Sequence, residues 1–325
     1  MRVSGKGLIN REKHVNFKFD GNDYKGFEGD TVASALLASG KKLFGRSFKY
    51  HRPRGVLTAG SEEPNALLTV GQGAFQDPNI RATTQEIFEG LITKSQNNWP
   101  NLHYDILSAN DLFSNFLGAG FYYKTFMWPK SFWEKLYEPF IRRAAGLGAL
   151  SGLHNSDTYE KAYAFCDLLV IGGGPSGLMA AKIAAEAGLD VIIAEQEPIF
   201  GGRLISETEE VDGMPGGVWA AETIKNLKEL NNVRLLSRTT VTGVYDQGTF
   251  GAVERVGHHL PDRGGDRPLE CFWRIVAKHS ILAAGAIERS IAFPNNDRPG
   301  VMAASAVRTY LNRFGVSTGK SVALF

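Results

Sequence analysis

The stretch Asp167-Leu-Leu-Val-Ile-Gly-Gly-Gly-Pro-Ser-Gly177 decides how the rest of the chain is read. Asp167 to Ile171 is a short apolar run and predicts a buried strand. Gly172, Gly174 and Gly177 follow with the spacing G-x-G-x-x-G and open a helical pattern. Leu178, Ala181 and Ala185 share one face of that helix, and Gly188 marks its stop. A second apolar run, Val191 to Ala194, ends in Glu195. Strand, glycine turn, helix, strand and terminal acid together make the fingerprint of a dinucleotide-binding unit.

Each position has its own physical reason. Gly172 lets the chain turn sharply off the strand. Gly174 has no Cβ, so a pyrophosphate can approach the backbone. Gly177 lets helix and strand pack closely, and Ala181 extends that contact. Pro175 and Ser176 stand at the helix start, where free N–H groups and a partial positive charge face the phosphates. Glu195 can accept hydrogen bonds from both hydroxyls of an adenosine ribose. A carboxylate there would repel a 2′-phosphate, which favours NAD or FAD over NADP. A lone glycine spacing is weak and also fits a turn without a ligand; the strands, helix and acid around it carry the reading.

Working outward, the 325 residues are enough for two domains. Apolar content of 43% and charged content of 22% suit a soluble globular protein. A formal net charge of +2 gives no ground for nucleic-acid binding. No apolar run approaches membrane-spanning length, and the start Met-Arg-Val-Ser-Gly-Lys-Gly lacks the apolar core of a signal peptide, so a cytoplasmic setting is expected. Cys166 and Cys271 form neither a C-x-x-C pair nor a metal-ligand cluster and are read as buried thiols.

Residues 1–95 predict a small β-rich domain. Val15 to Phe19 and Tyr24 to Phe27 read as strands around an Asp20-Gly-Asn turn, and the stretch from Gly29 to Gly40 as a short helix capped by Asp30 or Thr31. Two strands followed by a helix beginning Gly-Asp-Thr-Val resemble the β-grasp fold of plant-type ferredoxins. That family holds its iron–sulfur cluster with four cysteines, and residues 1–165 contain none. The basic, aromatic loop Gly45 to Gly55 reads equally as a solvated surface loop or as a docking surface. A metal role for its His51 lacks partner ligands.

Residues 96–165 form an aromatic-rich connector, in which Ser131 to Arg143 predicts an amphipathic helix with Phe132, Leu136 and Phe140 spaced four apart. So many rings suggest packing against something large, such as another chain. Residues 166–315 hold the dinucleotide fold. After Glu195, the paired glycines Gly201 and Gly202 suit backbone lying over the pyrophosphate or adenosine. Val218 to Leu230 reads as a helix, and Val233 to Leu236 and Thr239 to Val244 as strands. Phe250 to Val256 and Phe272 to Ala277 suit a β-meander. The segment from His258 to Pro268 reads as a loop, and Ser280 to Ala286 as a further strand ending in a small-residue turn. Pro299 begins a helix through Arg313. Residues 316–325 then predict the first strand of a second nucleotide-binding unit, as in a fragment of a longer protein. The fold class is therefore α/β: a Rossmann-like unit of the two-dinucleotide-fold flavoprotein type, preceded by a β-grasp ferredoxin-like domain without cluster cysteines.

Several strings add specificity: Gly29-Asp-Thr-Val-Ala-Ser-Ala, Arg52-Pro-Arg-Gly, Glu63-Pro-Asn, Ala119-Gly-Phe-Tyr-Tyr-Lys-Thr-Phe and Ala283-Ala-Gly-Ala-Ile-Glu-Arg. With the domain order, they resemble the α subunits of heterotetrameric sarcosine oxidases. The resemblance implies oxidative demethylation of sarcosine to glycine in a complex with β, γ and δ subunits. Oxygen is the acceptor, hydrogen peroxide is formed, and tetrahydrofolate can take up the one-carbon unit as 5,10-methylenetetrahydrofolate. It implies NAD on the α subunit and FAD and FMN mainly on the partner subunit. By the same resemblance, Gly172, Gly174, Pro175, Ser176 and Gly177 would contact the pyrophosphate and Glu195 the ribose. Gln196 and Glu197 would neighbour the adenosine. Gly202, Arg203 and Leu204 would follow over the cofactor, Val241 would offer its backbone to the adenine, and Ala284 and Gly285 would close the site. No catalytic acid, base or nucleophile is named. Two other readings stand beside this one: a self-sufficient FAD-dependent pyridine-nucleotide oxidoreductase, which the missing C-x-x-C disfavours as a dithiol reductase, and a non-catalytic NAD-binding scaffold.

Overall fold

A hairpin begins the chain. Strands β1 (Asn10–Phe19) and β2 (Asn22–Glu28) pair antiparallel around the tight turn at Asp20 and Gly21. Helix α1 (Val32–Ala38) follows, fixed at its start by a capping box: Thr31 Oγ1 accepts from the Ser34 N–H at 3.2 Å, and Ser34 Oγ accepts from the Thr31 N–H at 2.9 Å. Strands β3 (Leu67–Val70), β4 (Asp77–Arg81) and β5 (Leu91–Ser95) complete a five-stranded sheet of order β2-β1-β5-β3-β4. Strand β5 runs parallel to β1 and antiparallel to β3. Phe17, Leu36, Leu68 and Leu91 are buried between sheet and helix. The computed structural model describes residues 1–144, 146–261 and 267–324; part of the loop expected from His258 to Pro268 lies outside the described residues.

The connector differs from expectation. Ser131 to Arg143 is not one regular helix but a succession of a 3-10 turn (Lys130–Phe132), a π turn (Trp133–Tyr137) and an α segment (Glu138–Ala144). Pro139 explains the break, since it has no N–H for the ladder and its ring crowds the carbonyl four residues back. The periodicity also found no core: Phe132, Leu136 and Phe140 are all exposed, as are Phe116 and Trp128.

The second unit is built on two long neighbouring strands. Strand β6 (Tyr159–Ile171) starts well before the apolar run at Asp167. Helix α2 (Pro175–Glu186), strand β7 (Val191–Ala194), helix α3 (Gly216–Lys228) and strands β8 (Val233–Leu236), β9 (Thr239–Tyr245) and β10 (Thr249–Arg255) follow. Strand β11 (Glu270–Leu282) fuses the two separate strands expected there into one. It pairs in parallel with β6 from Glu270 opposite Tyr159 to Leu282 opposite Ile171, so ladder hydrogen bonds extend both strands beyond their apolar centres. The sheet order is β8-β7-β6-β11-β10-β9, with the first four strands parallel and the last three an antiparallel meander. Leu178, Ala181 and Ala185 of α2 are buried against Val170 and Ile193 of the sheet, as the spacing predicted.

The final helix, α4 (Ala304–Asn312), starts later than Pro299 because Glu288 accepts from the Ala304 and Ser305 N–H groups at 3.2 and 2.8 Å. Its apolar residues do not join the dinucleotide unit. Ala306 and Tyr310, with Phe314 beyond the helix, complete the core of the first sheet, and Tyr310 Oη donates to the Thr58 carbonyl at 3.0 Å. Arg238 bridges the units through Glu86 at 2.6 Å, and Gln85 Nε2 donates to the His258 carbonyl at 2.9 Å. The strand expected over Gly319–Phe325 is absent from its described part; Val322 and Leu324 are exposed and pair with no strand edge. Among the described residues no helix is long and apolar enough to cross a membrane.

Candidate dinucleotide site

The turn after β6 is shaped by what its glycines exclude. Gly172 has φ +106°, and a Cβ there would overlap the Ala283 carbonyl, where β11 ends alongside β6. Its N–H donates to the Ala194 carbonyl at 2.9 Å, which ties the turn to the end of β7. A Cβ on Gly177 would overlap the Gly172 carbonyl oxygen, so helix α2 can pack on its own turn only with glycine there. Gly174 is the opposite case. A Cβ there would meet nothing closer than the Gly202 Cα at 3.9 Å. The Gly201 N–H donates to the Gly173 carbonyl at 2.8 Å, and a Cβ on Gly202 would approach the Gly174 Cα to 2.9 Å. At Gly174, Gly201 and Gly202 the two glycine loops thus touch through backbone. Pro175 and Ser176 lie exposed beside them, at the helix end whose first N–H groups have no intrahelical acceptor.

Glu195, at the end of β7, is only 6% exposed. Its Oε2 accepts from the Gly173 N–H at 2.7 Å and its Oε1 from the Glu197 N–H at 2.8 Å. Burial pushes its carboxyl above the usual range, as does Glu197; the two backbone N–H groups and Arg313 act the other way. Each carboxylate oxygen can accept a second hydrogen bond. The acid therefore holds the glycine turn while retaining capacity for ribose hydroxyls. Gln196 and Glu197 are fixed from within the unit and from the first unit's core. Ser61 Oγ lies 3.3 Å from Gln196 Oε1, Arg255 Nη2 donates to the Gln196 carbonyl at 2.9 Å, and Arg313 Nη1 donates to Glu197 Oε2 at 2.9 Å.

The remaining expected positions divide. Ala284 follows β11 and comes close to Gly172, and the exposed Gly285 lies next to it. Leu204 is buried beneath the glycine pair, whereas the exposed Arg203 approaches Glu207 at 3.9 Å. Val241 sits in β9 opposite Ala252 and packs with Trp273 on the core that includes Ile275. Sequence reasoning missed Gly173, Phe200, Ser61 and Arg313. A Cβ on Gly173 would overlap the Phe200 ring, so the third glycine of the run was a signal that a side chain packs there. Ser61 and Arg313 come from distant sequence and carried no local signal.

In the first unit, the Gly45–Gly55 loop borders a cavity of about 340 Å³, lined among others by Arg46, Lys49, Tyr50, Asn65 and Gln96, and several of its polar side chains bond to residues outside the loop. His51 is buried with Nδ1 at 2.6 Å from Asp105 Oδ2, and Asp105 Oδ1 accepts from the Trp99 and Leu107 N–H groups. Arg46 Nη2 donates to the Leu102 carbonyl at 2.8 Å. Arg52 and Arg54 lie 2.8 and 3.0 Å from Asp297; the hydrogen bond from Arg52 above all holds the Asp297 carboxyl below its ordinary range, against desolvation. Among the described residues there is no group of three or more His, Cys, Asp or Glu side chains placed to hold a metal ion. Both cysteines are buried, and burial pushes the Cys166 thiol up to about 11.

Comparison with known proteins follows the same division. Residues 12–98 match the family model of a 2Fe-2S iron-sulfur cluster binding domain, and residues 167–260 that of an FAD dependent oxidoreductase. The structure resembles that of L-proline dehydrogenase from P. horikoshii with a TM-score of 0.62 at 21% identity, over 98% of this chain and 50% of that one. Sarcosine oxidase subunit alpha of Rhizobium meliloti (strain 1021) is 55% identical over 324 residues, 100% of this chain and 33% of that protein. Its counterpart in Corynebacterium sp. (strain U-96) is 35% identical over 97% of this chain and 28% of its own length. The chain thus spans about a third of the length of these relatives. Over its full length, this chain is homologous to the N-terminal portion of sarcosine oxidase subunit alpha.

Proposed function

We propose that this chain is the NAD-binding portion of the α subunit of a cytoplasmic sarcosine oxidase complex. The observation that carries the reading is full-length similarity at 55% identity joined to an intact glycine cradle ending in a buried acid. The backbone of Gly172, Gly174, Ser176, Gly177 and Gly202 would hold the pyrophosphate at the start of α2. Open space at Gly174 and the paired glycine loops fit a group that must approach backbone closely. Glu195 would accept from the adenosine ribose. Gln196, Glu197, Val241, Ala284 and Gly285 would border the adenosine and the pyrophosphate.

NAD would be bound here without being used for hydride transfer. This chain's own residues bind and orient the dinucleotide; none is assigned as acid, base or nucleophile. Sarcosine oxidation, with FAD and FMN mainly on a partner subunit and with β, γ and δ chains completing the complex, is proposed for the whole assembly. The products there are glycine, hydrogen peroxide and, with tetrahydrofolate, 5,10-methylenetetrahydrofolate. The match to an FAD dependent oxidoreductase model favours one second reading, FAD in the same cradle. Denaturing the purified chain and separating the supernatant distinguishes them. Released NAD without flavin is expected; a yellow protein releasing FAD and no NAD would overturn the assignment.

A further inference from the structure

The loop after Glu195 is held from both units: Arg255 and the Arg238 N–H bond it from its own sheet, and Ser61, Asn312 and Arg313 reach it from the first. Helix α4 buries Ala306 and Tyr310 in the first sheet's core, and the residue just beyond it is Arg313. The Arg313 side chain is 7% exposed. One nitrogen, Nη1, donates to Glu197 Oε2 at 2.9 Å, and the guanidinium lies over the Phe314 ring with Cζ 4.8 Å from its centroid. Its Nε is buried without a hydrogen-bond partner among the described residues. Asn312 reinforces the placement by donating to the Ser206 carbonyl, at the end of the glycine-pair turn, at 2.8 Å. A buried guanidinium with one carboxylate partner and an unused donor is costly to keep unless its charge serves the groups beside it.

We infer that Arg313 is a positioning residue for the dinucleotide: through Glu197 it fixes the loop that carries the ribose acid Glu195. The first unit thereby supplies part of the nucleotide site through the helix fused into its core. This rests on reading the cradle as a dinucleotide site. The charged groups acting on Glu195 are Glu197 from its own loop, which disfavours ionisation, and Arg313 from the end of α4, which favours it. Arg238, at the start of β9, is engaged by Glu86. The ionised acid is the stronger acceptor for ribose hydroxyls, so affinity is highest above the Glu195 pKa and weakens as pH falls through it.

The test is a titration of the full chain with NAD and with ADP, in parallel, from acid to neutral pH. The variants are Arg313→Met, Arg313→Lys and Glu197→Gln, with melting temperatures recorded for each. Arg313→Met is expected to weaken ADP affinity about tenfold at neutral pH and to move the acid limb of the profile upward. Arg313→Lys should restore most of both. Glu197→Gln breaks the ion pair through which Arg313 holds the loop and should weaken ADP affinity at neutral pH as Arg313→Met does, and it reports even if Arg313→Met fails to fold. Wild-type ADP affinity in Glu197→Gln, or in folded Arg313→Met, overturns the inference. Wild-type chain that binds ADP and not NAD overturns the proposed cofactor alone, because the positioning test then runs to completion on ADP.

Discussion

The Gly45–Gly55 loop and the Gly172–Gly177 turn occupy equivalent roles in their two folds, and they are built in opposite ways. The first lies within the residues that match a 2Fe-2S iron-sulfur cluster binding domain model. Its side chains tie it to the segment that follows: His51 is buried on Asp105, and Arg46 donates to the Leu102 carbonyl. The second is closed mainly through backbone, with the Phe200 ring against Gly173 and Glu195 Oε2 accepting from the Gly173 N–H. Gly172 and Gly177 allow the backbone to fold onto itself, and Gly174 faces open space. The first loop spends His51, Arg46 and Arg52 on Asp105, the Leu102 carbonyl and Asp297, and it borders a cavity with Lys49 and Tyr50 in its wall. The second, closed largely through backbone, keeps both room and donors at a helix start.

The strongest way to break this contrast is Gly177→Val. The new side chain would drive into the Gly172 carbonyl, a backbone atom with no freedom to swing aside. Overpacking of this kind costs on the order of 3 kcal/mol, and the second unit should lose its native melting transition or shift it strongly downward. A variant that melts with the wild type would show that the turn is looser than the structure describes.

Gly174→Val sharpens the contrast from the other side. Its Cβ meets nothing within van der Waals overlap, and φ at this helix cap is −75°, so the free protein should melt close to wild type. Nucleotide binding should nevertheless vanish, because the side chain fills the space a pyrophosphate needs. Glu195→Ala should do less, weakening cofactor binding by about 1–3 kcal/mol through loss of hydrogen bonds to a charged acceptor. It also removes the acceptor of the Gly173 and Glu197 N–H groups, so some stability is lost with it. Calorimetric titration of the three proteins checks the order, and equal affinity in all three would remove the cradle from consideration.

The elements of that cradle were legible because each is local. The strand end at Ile171, the helix from Pro175 and the strand Val191–Ala194 are written in apolar spacing within one short stretch. The extra length of β6 and β11 was not legible, because it comes from their pairing with each other across more than a hundred residues rather than from an apolar pattern. Periodicity also failed to say what a helix packs against. The helix before Arg313 found its core in the first unit, through Tyr310 and Thr58. The connector's Phe132, Leu136 and Phe140 have the same regular spacing and stay exposed. Arg313 reaches the loop after Glu195 from the end of α4, which joins the first core, and Ser61 reaches it from the first unit, facts no local window contains.

The smallest expected effect concerns iron, and it tests the first loop directly. A [2Fe–2S] cluster needs thiolates, with imidazoles replacing two of them in rare cases. Residues 1–165 supply no cysteine and only His14, His51, His103 and His154 as imidazoles. Of these, His51 holds Nδ1 at 2.6 Å from Asp105, while its buried Nε2 has no hydrogen-bond partner among the described residues. The fold resembles that of a cluster domain, as the match over residues 12–98 indicates, while the ligand chemistry that match would require is missing from the same residues. Reconstitution with ferrous iron and sulfide should therefore leave the visible spectrum and the melting temperature unchanged, with no stoichiometric metal retained after desalting. Two irons per chain with charge-transfer bands would mean that cysteine-free residues build a cluster site, and the opposition between the two loops would then collapse.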